Sequence, residues 1–358
     1  MDYSINTKKS KRLFDRAQKV LPGGISHNVR YTSPYPIYIK EAYGGKFRDV
    51  DGNEFIDYWD GHTGLILGHN PPEIVKALRR AVPKGTHWGL VNKNEVELAE
   101  LVCEMVPCAE MVRFCCSGTE ATMYAVRLAR AFTGKKVILK AEGGWHGGNP
   151  DLSLAVTPPY DMEESMGLLP EITRYTKAFP VNNLEAVKKL AEDNRDDFAG
   201  IIIEPFVFSG GSVPCKPEFL RALRELTHEM KAVLIFDEVI TGFRLAPGGG
   251  QEYFGITPDL WLRKGMETAM RECGVNASAR GISSLFVMLF PYDFGTEINS
   301  ALDVFTKTDM FKNMEFQFRM LNHGVYLVHG GGVLCTEHTE ADIDNTIEAA
   351  AIVAKEMA

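Results

Sequence analysis

The sequence predicts an α/β protein with a large domain, built on a mainly parallel sheet, and a smaller α+β domain. From Pro71 onward, helical segments alternate with short apolar segments, which is the pattern of a parallel sheet with helical crossovers. The apolar segments "FAGIIIEP" and "KAVLIFDEV" are continuous rather than alternating, as a sheet covered on both faces requires. A chain of 358 residues also exceeds the size at which a single core usually divides.

The N-terminal part predicts a small, mainly β segment. Residues 8–20 have the pattern of a short amphipathic helix, and "LPGG" interrupts it. The stretch "YPIYIKEAYGGKFRDVDGNEFIDYWDG" then alternates around an Asp51-Gly52 turn, which predicts antiparallel strands. We expect residues 1–55 to form part of the small domain.

The large domain is predicted to span residues 56–260. Its helices are expected in "PPEIVKALRRAV", "NEVELAELVCEMV", "GTEATMYAVRLARAFTG", "NLEAVKKLAED" and "PEFLRALRELTHEM". Its strands are expected in "EMVRFCC", "KKVILK", "FAGIIIEP" and "KAVLIFDEV".

Residues 261–358 are predicted to form a C-terminal α+β domain. Its expected order is a helix, a strand, a helix leading into a strand and a capped terminal helix, in "WLRKGMETAMRECGV", "SLFVMLF", "DMFKNMEFQFRMLNHGVYLV" and "TEADIDNTIEAAAIVAKEM".

Composition favours a small-molecule ligand over a nucleic acid or a membrane. The formal charge of -8 is spread along the chain without a basic block. The seven cysteines show no C-x-x-C spacing, so we expect reduced thiols in a cytoplasmic protein and no metal site. The polar N-terminus and the lack of a long apolar run predict a soluble protein that is not exported.

Ligands of open α/β sheets bind at the carboxyl ends of strands, and two loops there carry candidate residues. In "FCCSGTEATMYAVRLAR", Ser117, Gly118 and Thr119 turn directly into a helix, whose free N–H groups suit a phosphate. Ser117 or Thr119 could instead simply cap that helix. In "KAEGGWHGGNP", Trp145 and His146 stand among glycines, where the indole could stack on a flat ligand or pack within the loop.

Two carboxylates end apolar strands. Glu204 follows three isoleucines, and Asp237 follows "VLIF". Burying a carboxylate is costly unless it meets a partner or a ligand. A protonated ring nitrogen would satisfy Asp237, and so would a salt bridge, for example to Arg244.

These motifs, in their order and spacing, resemble the class III, fold-type-I family of pyridoxal-phosphate-dependent aminotransferases. The similarity is greatest to its glutamate-1-semialdehyde 2,1-aminomutase branch, through "LPGGISHNVR", "DVDGNEFIDY", "MVRFCCSGTEATMYAVRLARAFTG", "IFDEVITGFR" and "GGGQEYFGITPDL". The resemblance implies a fold-type-I transferase whose small domain is built from both termini. It also implies pyridoxal 5'-phosphate as cofactor, amino-group transfer on a small amino-carboxylate and a homodimer.

Cofactor-binding residues follow from the resemblance position by position. It implies that Gly118 and Thr119 hold the phosphate, that Trp145 stacks on the pyridine ring and that His146 supports the ring.

Further implied contacts lie at the ring and the substrate. Asp237 would pair with the ring nitrogen, Val239 would pack on the other ring face, and Glu204 would lie near the cofactor's other edge. Arg30 would bind the substrate carboxylate, for which a guanidinium is suited, although an ordinary surface role is the alternative. Departures from the family at His62 and Ser209 leave the substrate less defined than the cofactor.

The family's Schiff-base lysine is not found in this sequence. In the family, "TPDL" leads to that lysine, whereas here Leu260 is followed by Trp261 and a segment that resembles a later helix. Lys264 lies outside the apolar stripe of that helix, and we interpret it as a solvated charge.

Two explanations of the break at Leu260–Trp261 stay open. The sequence joins two parts of a longer protein, which we favour, or the protein carries a real deletion. The alternative function is therefore a catalytically impaired family member that retains cofactor binding or a structural role. A nucleotide-binding α/β protein is less favoured, because neither G-x-G-x-x-G after the first parallel strand nor a P-loop lysine occurs.

Overall fold

The computed structural model describes residues 3–253 and 278–357. Its helices, in chain order, are α1 Tyr3–Asn6, α2 Lys8–Ala17, α3 Asp60–Thr63, α4 Pro72–Ala81, α5 Lys93–Met105, α6 Gly118–Thr133, α7 Pro170–Thr173, α8 Leu184–Asp193, α9 Pro217–Glu229, α10 Ala301–Lys307, α11 Met310–Asn322 and α12 Glu340–Met357. Its strands are β1 Ile39–Tyr43, β2 Lys46–Asp49, β3 Glu54–Asp57, β4 Val137–Ala141, β5 Thr176–Phe179, β6 Phe198–Ile203, β7 Phe206–Val207, β8 Val213–Pro214, β9 Val233–Phe236, β10 Ser278–Ile282, β11 Leu285–Leu289, β12 Val325–Tyr326 and β13 Gly331–Val333.

Contacts between Cα atoms divide the chain into two compact units. The terminal unit comprises Met1–Val91, Asp259–Pro291 and Asp309–Ala358. The central unit comprises Asn92–Pro258 and Tyr292–Thr308. The domain boundaries expected at 55/56 and 260/261 stay predictions.

Three expectations fall outside the described residues. They are the break at Leu260–Trp261, the helix expected to follow it and the solvated position of Lys264.

The described part of the terminal unit contains two small sheets. The first has the order β1-β2-β3-β12, in which β1, β2 and β3 pair antiparallel and β12 runs parallel to β3. The antiparallel strands predicted around the Asp51-Gly52 turn are therefore confirmed. The second sheet, β10-β11-β13, is antiparallel. A core of Tyr58, Met288, Phe316 and Val353 lies in this unit, where α12 buries an alanine-rich face.

The central unit holds the predicted parallel sheet, with the order β5-β4-β6-β9. β4 and β6 are buried along their whole length, because continuous apolar strands suit a sheet covered on both faces. Residues of α6, including Val126 and Ala129, pack with Ile138 and Ile202 of the sheet in one buried cluster. Among the described residues, no helix is long and apolar enough to cross a membrane.

One predicted strand is wrong, and five of the described strands lie outside the predicted set, namely β5, β7, β8, β10 and β13. "EMVRFCC", residues 110–116, forms no strand, and Met111 is 90% exposed. A strand needs a hydrogen-bonding neighbour, and within the described ranges no strand pairs with this segment. Among those same residues β9 pairs only with β6. β5 pairs with β4, and β10 pairs with β11. The sequence of a short polar segment does not reveal such a pairing partner.

Candidate active site at the carboxyl edge of the parallel sheet

Parallel pairing of β6 with β9 places Glu204 and Asp237 at one edge of the central-unit sheet. Ile203 pairs with Phe236, and these two residues are followed along the chain by Glu204 and Asp237. The N–H of Asp237 donates to the carbonyl of Ile203 at 2.9 Å, so this pairing continues to the strand end. Both residues are buried, at 5% and 8% exposure. The position expected from the strand ends is thus confirmed for this pair.

Asp237 is held by a histidine and a backbone amide. Its Oδ2 lies 2.7 Å from Nδ1 of His146, and its Oδ1 accepts the N–H of Val239 at 3.1 Å. Burial lowers the pKa of His146, and the hydrogen bond and charge of Asp237 oppose that shift. A neutral imidazole that meets a carboxyl oxygen through Nδ1 donates its proton from that nitrogen. His146 and the Val239 amide therefore hold the Asp237 carboxyl group in place at the sheet edge.

Glu204 is bound by the backbone. Oε1 accepts the N–H of Trp145 at 3.2 Å, and Oε2 accepts the N–H of Phe208 at 3.1 Å. Burial, followed by the charge of Asp237, raises the pKa of Glu204 to about 8, while the two amides and Lys140 act in the opposite direction. Glu204 therefore links the end of β6 to the backbone of the loop that carries Trp145.

The start of α6 confirms that Ser117 caps the helix. Its side chain accepts the N–H of Glu120 at 3.2 Å, and the Glu120 carboxylate accepts the N–H of Cys116 at 2.6 Å. This cap uses the third amide of the helix, so it does not engage the N–H groups of Gly118 and Thr119. Capping by Ser117 and anion binding by Gly118 and Thr119 are therefore compatible.

Val239 and the α6 N-terminus lie close together. A Cβ added at Gly118 would lie 3.0 Å from Cγ2 of Val239. Val239 itself is 63% exposed, so its side chain presents an apolar surface next to the amides of the first helical turn. The structure thus brings Gly118 and Val239 into one neighbourhood, although they are 121 positions apart.

Gly147 joins the Trp145-His146 loop to α6. Its φ is 80°, and an added Cβ would lie 2.2 Å from Oγ1 and 2.7 Å from Cα of Thr119. Such a close backbone approach admits only glycine. The next amide, of Gly148, donates to Oγ1 of Thr119 at 3.1 Å, and Oγ1 of Thr122 donates to the carbonyl of His146 at 2.8 Å. The loop and the helix are therefore packed as one assembly.

The seven predicted cofactor residues all belong to the central unit, whereas Arg30 belongs to the terminal unit. The exposed Arg30 guanidinium donates to Oγ of Ser26 at 3.0 Å. Its substrate contact stays a prediction, as do the individual cofactor contacts.

A buried lysine at this edge was not among the predicted site residues. Lys140 ends the apolar run of β4 and is fully buried. Its charge influences both Glu204 and His146. The signal available in the sequence was a lysine inside "VILKA", where an apolar residue is expected of a covered strand.

Comparison with known proteins agrees with the similarity seen in the motifs. A family model described as aminotransferase class-III matches residues 27–269. The chain is 45% identical over 255 residues to a glutamate-1-semialdehyde 2,1-aminomutase of Methanosarcina acetivorans; this match covers 70% of the chain and 60% of that relative.

Solved structures of transaminases have the same fold. An omega-transaminase from Sphaerobacter thermophilus superposes with a TM-score of 0.91 at 26% identity, with 99% of each chain covered. A transaminase with PLP bound superposes with a TM-score of 0.87 at 28% identity, with 98% of each chain covered. By the extent of the family match, this chain belongs to the class III aminotransferase family.

Proposed function

We propose that this chain binds pyridoxal 5'-phosphate and takes part in amino-group transfer on a small amino-carboxylate. The reaction would be an aminotransferase reaction or one like that of glutamate-1-semialdehyde 2,1-aminomutase. The family assignment supports the class of chemistry, and the curated relatives with that aminomutase name support the branch. A homodimer is proposed on the same ground.

The observation that carries the proposal is the buried Asp237–His146 pair at the carboxyl end of β9. A carboxylate 8% exposed requires a cationic or hydrogen-bonding partner. His146 supplies one such partner, and Nε2 of the same ring is buried without a hydrogen-bond partner among the described residues. A cofactor with a basic ring nitrogen fits this carboxylate, and its phosphate fits the amides of Gly118 and Thr119.

Bound pyridoxal phosphate supplies an electron-accepting ring, which stabilises the negative charge that forms when an amino acid loses its α-proton. Asp237 would hold a proton on the ring nitrogen, and His146 would keep the Asp237 carboxyl group oriented. Trp145 and Val239 would exclude water from the two ring faces. Glu204, through the amide of Trp145, would hold the indole in place.

A second candidate is a family member that binds the cofactor without turning over substrate. It is favoured by the sequence after Leu260, where the Schiff-base lysine expected of the family is not found. The chain covers 60% of the length of the first relatives, so the activity of the full-length enzymes is carried to it only as a proposal.

Cofactor titration tests the proposal. Purified chain is titrated with pyridoxal phosphate and followed by induced circular dichroism. Asp237→Asn removes the charge with little change of shape and should weaken binding by about tenfold or more, the effect of losing a charged hydrogen bond. Asp193→Asn, on the exposed end of α8, is the matched control and should bind like the native chain. A native chain that does not bind the cofactor would overturn the proposal.

Borohydride reduction of the titrated chain separates the two candidates. A cofactor adduct mapped to one lysine, together with amino transfer from an amino-carboxylate donor, supports the enzyme. Saturable binding without either result identifies the catalytically impaired member.

A further inference from the structure

Lys140 is the most deeply buried cation of the central unit for which exposure is described. Its relative exposure is 0%, and it stands at the fourth position of β4, between Leu139 and Ala141, which are also fully buried. Lysine is almost never fully buried unless its ammonium is satisfied. The mechanism proposed above does not use Lys140, so its burial calls for a separate explanation.

The ammonium of Lys140 joins two points of one loop. Nζ donates to the carbonyl of Gly144 at 2.9 Å and to the carbonyl of Leu154 at 2.6 Å. Residues 142–154 lead from the end of β4 and contain both Trp145 and His146. The N–H of Gly143 also donates to the carbonyl of Ala155 at 2.9 Å, where the two ends of the loop meet. The ends of the loop are therefore held together by one backbone hydrogen bond and by the charged side chain of Lys140.

Two carboxyl groups partly offset the cost of burying the charge of Lys140. Burial lowers the pKa of Lys140 to about 8, and Glu204 and Glu164 act against that shift. Glu204 in turn accepts the N–H of Trp145. Lys140 and the carboxyl group that holds the next residue of the loop therefore influence each other through charge. The hydrogen bonds that the ammonium donates to the carbonyls of Gly144 and Leu154 are charged, and such bonds are stronger than neutral ones.

We propose that Lys140 is a positioning residue of the cofactor site, which fixes the width of loop 142–154 and thereby the placement of Trp145 and His146. It acts through these residues and does not touch the cofactor. The role in cofactor binding rests on the proposed function, whereas the restraint that Lys140 places on the loop does not depend on it.

Hydrogen exchange measured by mass spectrometry tests the restraint on the chain without cofactor. Lys140→Met keeps a long apolar side chain and removes the charge and both donors. We expect amides of residues 142–154 to exchange about ten- to a hundredfold faster, with β6 unchanged. The matched control is Lys135→Met, since Nζ of Lys135 also donates to two carbonyls, of Arg195 and Met230, before the start of β4. It should leave residues 142–154 at the native rate.

The pyridoxal phosphate titration provides a second readout. Lys140→Met should weaken binding by about tenfold and reduce the induced circular dichroism of the bound ring, while Lys135→Met should bind like the native chain. If the native chain does not bind the cofactor, the proposed function fails, and hydrogen exchange still decides the role of Lys140.

Three results would overturn the inference. One is native exchange of residues 142–154 in folded Lys140→Met. Another is equal acceleration in β6, which would show a loss of general stability. If Lys140→Met does not fold, Lys140→Gln, which keeps one donor group, is measured instead. Failure of both variants to fold, with Lys135→Met folded, would show that the lysine serves the whole unit and not the loop.

Discussion

Glu204 is unfavourable to bury, but its carboxyl group also binds the backbone of a neighbouring loop. Burying its carboxyl group opposes ionisation, and two backbone amides and a nearby lysine partly offset that cost. An apolar residue at this strand end would avoid the cost but would leave the N–H groups of Trp145 and Phe208 without this acceptor. The hydrogen bonds that Glu204 accepts from the Trp145 and Phe208 amides therefore explain why a carboxyl group is buried at this position.

Glu204 also predicts a pH dependence of stability. Its pKa rises from 4.5 to about 8 on folding, so the folded state binds more protons than the unfolded state between these values. The free energy of unfolding should therefore fall as pH rises through this window, by at most about 1.4 kcal/mol per pH unit from this group. Lys140, with its pKa lowered to about 8, acts in the opposite direction only above that pH.

Urea unfolding at several pH values between about 5 and 8 measures this effect. Glu204→Gln should lack the part of the decline that Glu204 contributes, because a glutamine side chain does not titrate. Glu225→Gln, exposed on α9, should keep the native profile. Parallel profiles for Glu204→Gln and the native chain would contradict the assignment.

At the scale of elements, the site depends on how a loop and a helix fit together. The loop after β4 meets α6 at Gly147 and Thr119, and the helix cap at Ser117 leaves the first amides available. Local propensity explains α6, which has a serine cap at its start and is followed by Gly134, a capping residue in the left-handed region. The contact between loop and helix arises only from tertiary packing.

Gly147→Ala should disrupt that contact. The added methyl group would meet the backbone of Thr119 as well as its side chain, and the φ of 80° is unfavourable for alanine. We expect a loss of about 2 kcal/mol or more in the free energy of unfolding, measured by urea denaturation, together with weaker pyridoxal phosphate binding.

Gly148→Ala is the control, since a Cβ there would meet no atom within 4 Å. Its stability should lie within about 0.5 kcal/mol of the native chain. Equal effects of the two substitutions would show that the close approach at Gly147 is not the cause.

For the whole molecule, each unit has one buried thiol among the residues that the structure describes. Cys215 belongs to the central unit and Cys335 to the terminal unit, and both are at most 8% exposed. Burial raises the pKa of both thiols, that of Cys335 to about 12. Cys108, Cys115 and Cys116 are exposed. Because the thiolate is the reactive form, the two groups of cysteines should differ in reactivity.

A short pulse of iodoacetamide near neutral pH, followed by peptide mass spectrometry, measures that difference. The exposed thiols should be alkylated at least about a hundredfold faster than Cys215 and Cys335. In urea, the protection of each buried thiol should disappear with the unfolding of its own unit. Rapid labelling of Cys215 or Cys335 in the native chain would contradict the described packing.

Sequence patterns predicted much of this fold, because apolar periodicity and cap residues report local structure directly. They identified the central strands β4, β6 and β9, and they placed Glu204 and Asp237 at strand ends. They were wrong for residues 110–116, since strand formation requires a pairing partner that a local apolar segment does not reveal.

The sequence by itself determined the α/β class, the family resemblance and the residues worth examining. Only the tertiary structure decided that Asp237 pairs with His146, that Glu204 binds the amide of Trp145 and that Lys140 closes the loop between them. Periodicity reports which face of an element is buried. The partners of a buried charge are set by long-range packing, because residues far apart in the chain must supply its hydrogen bonds.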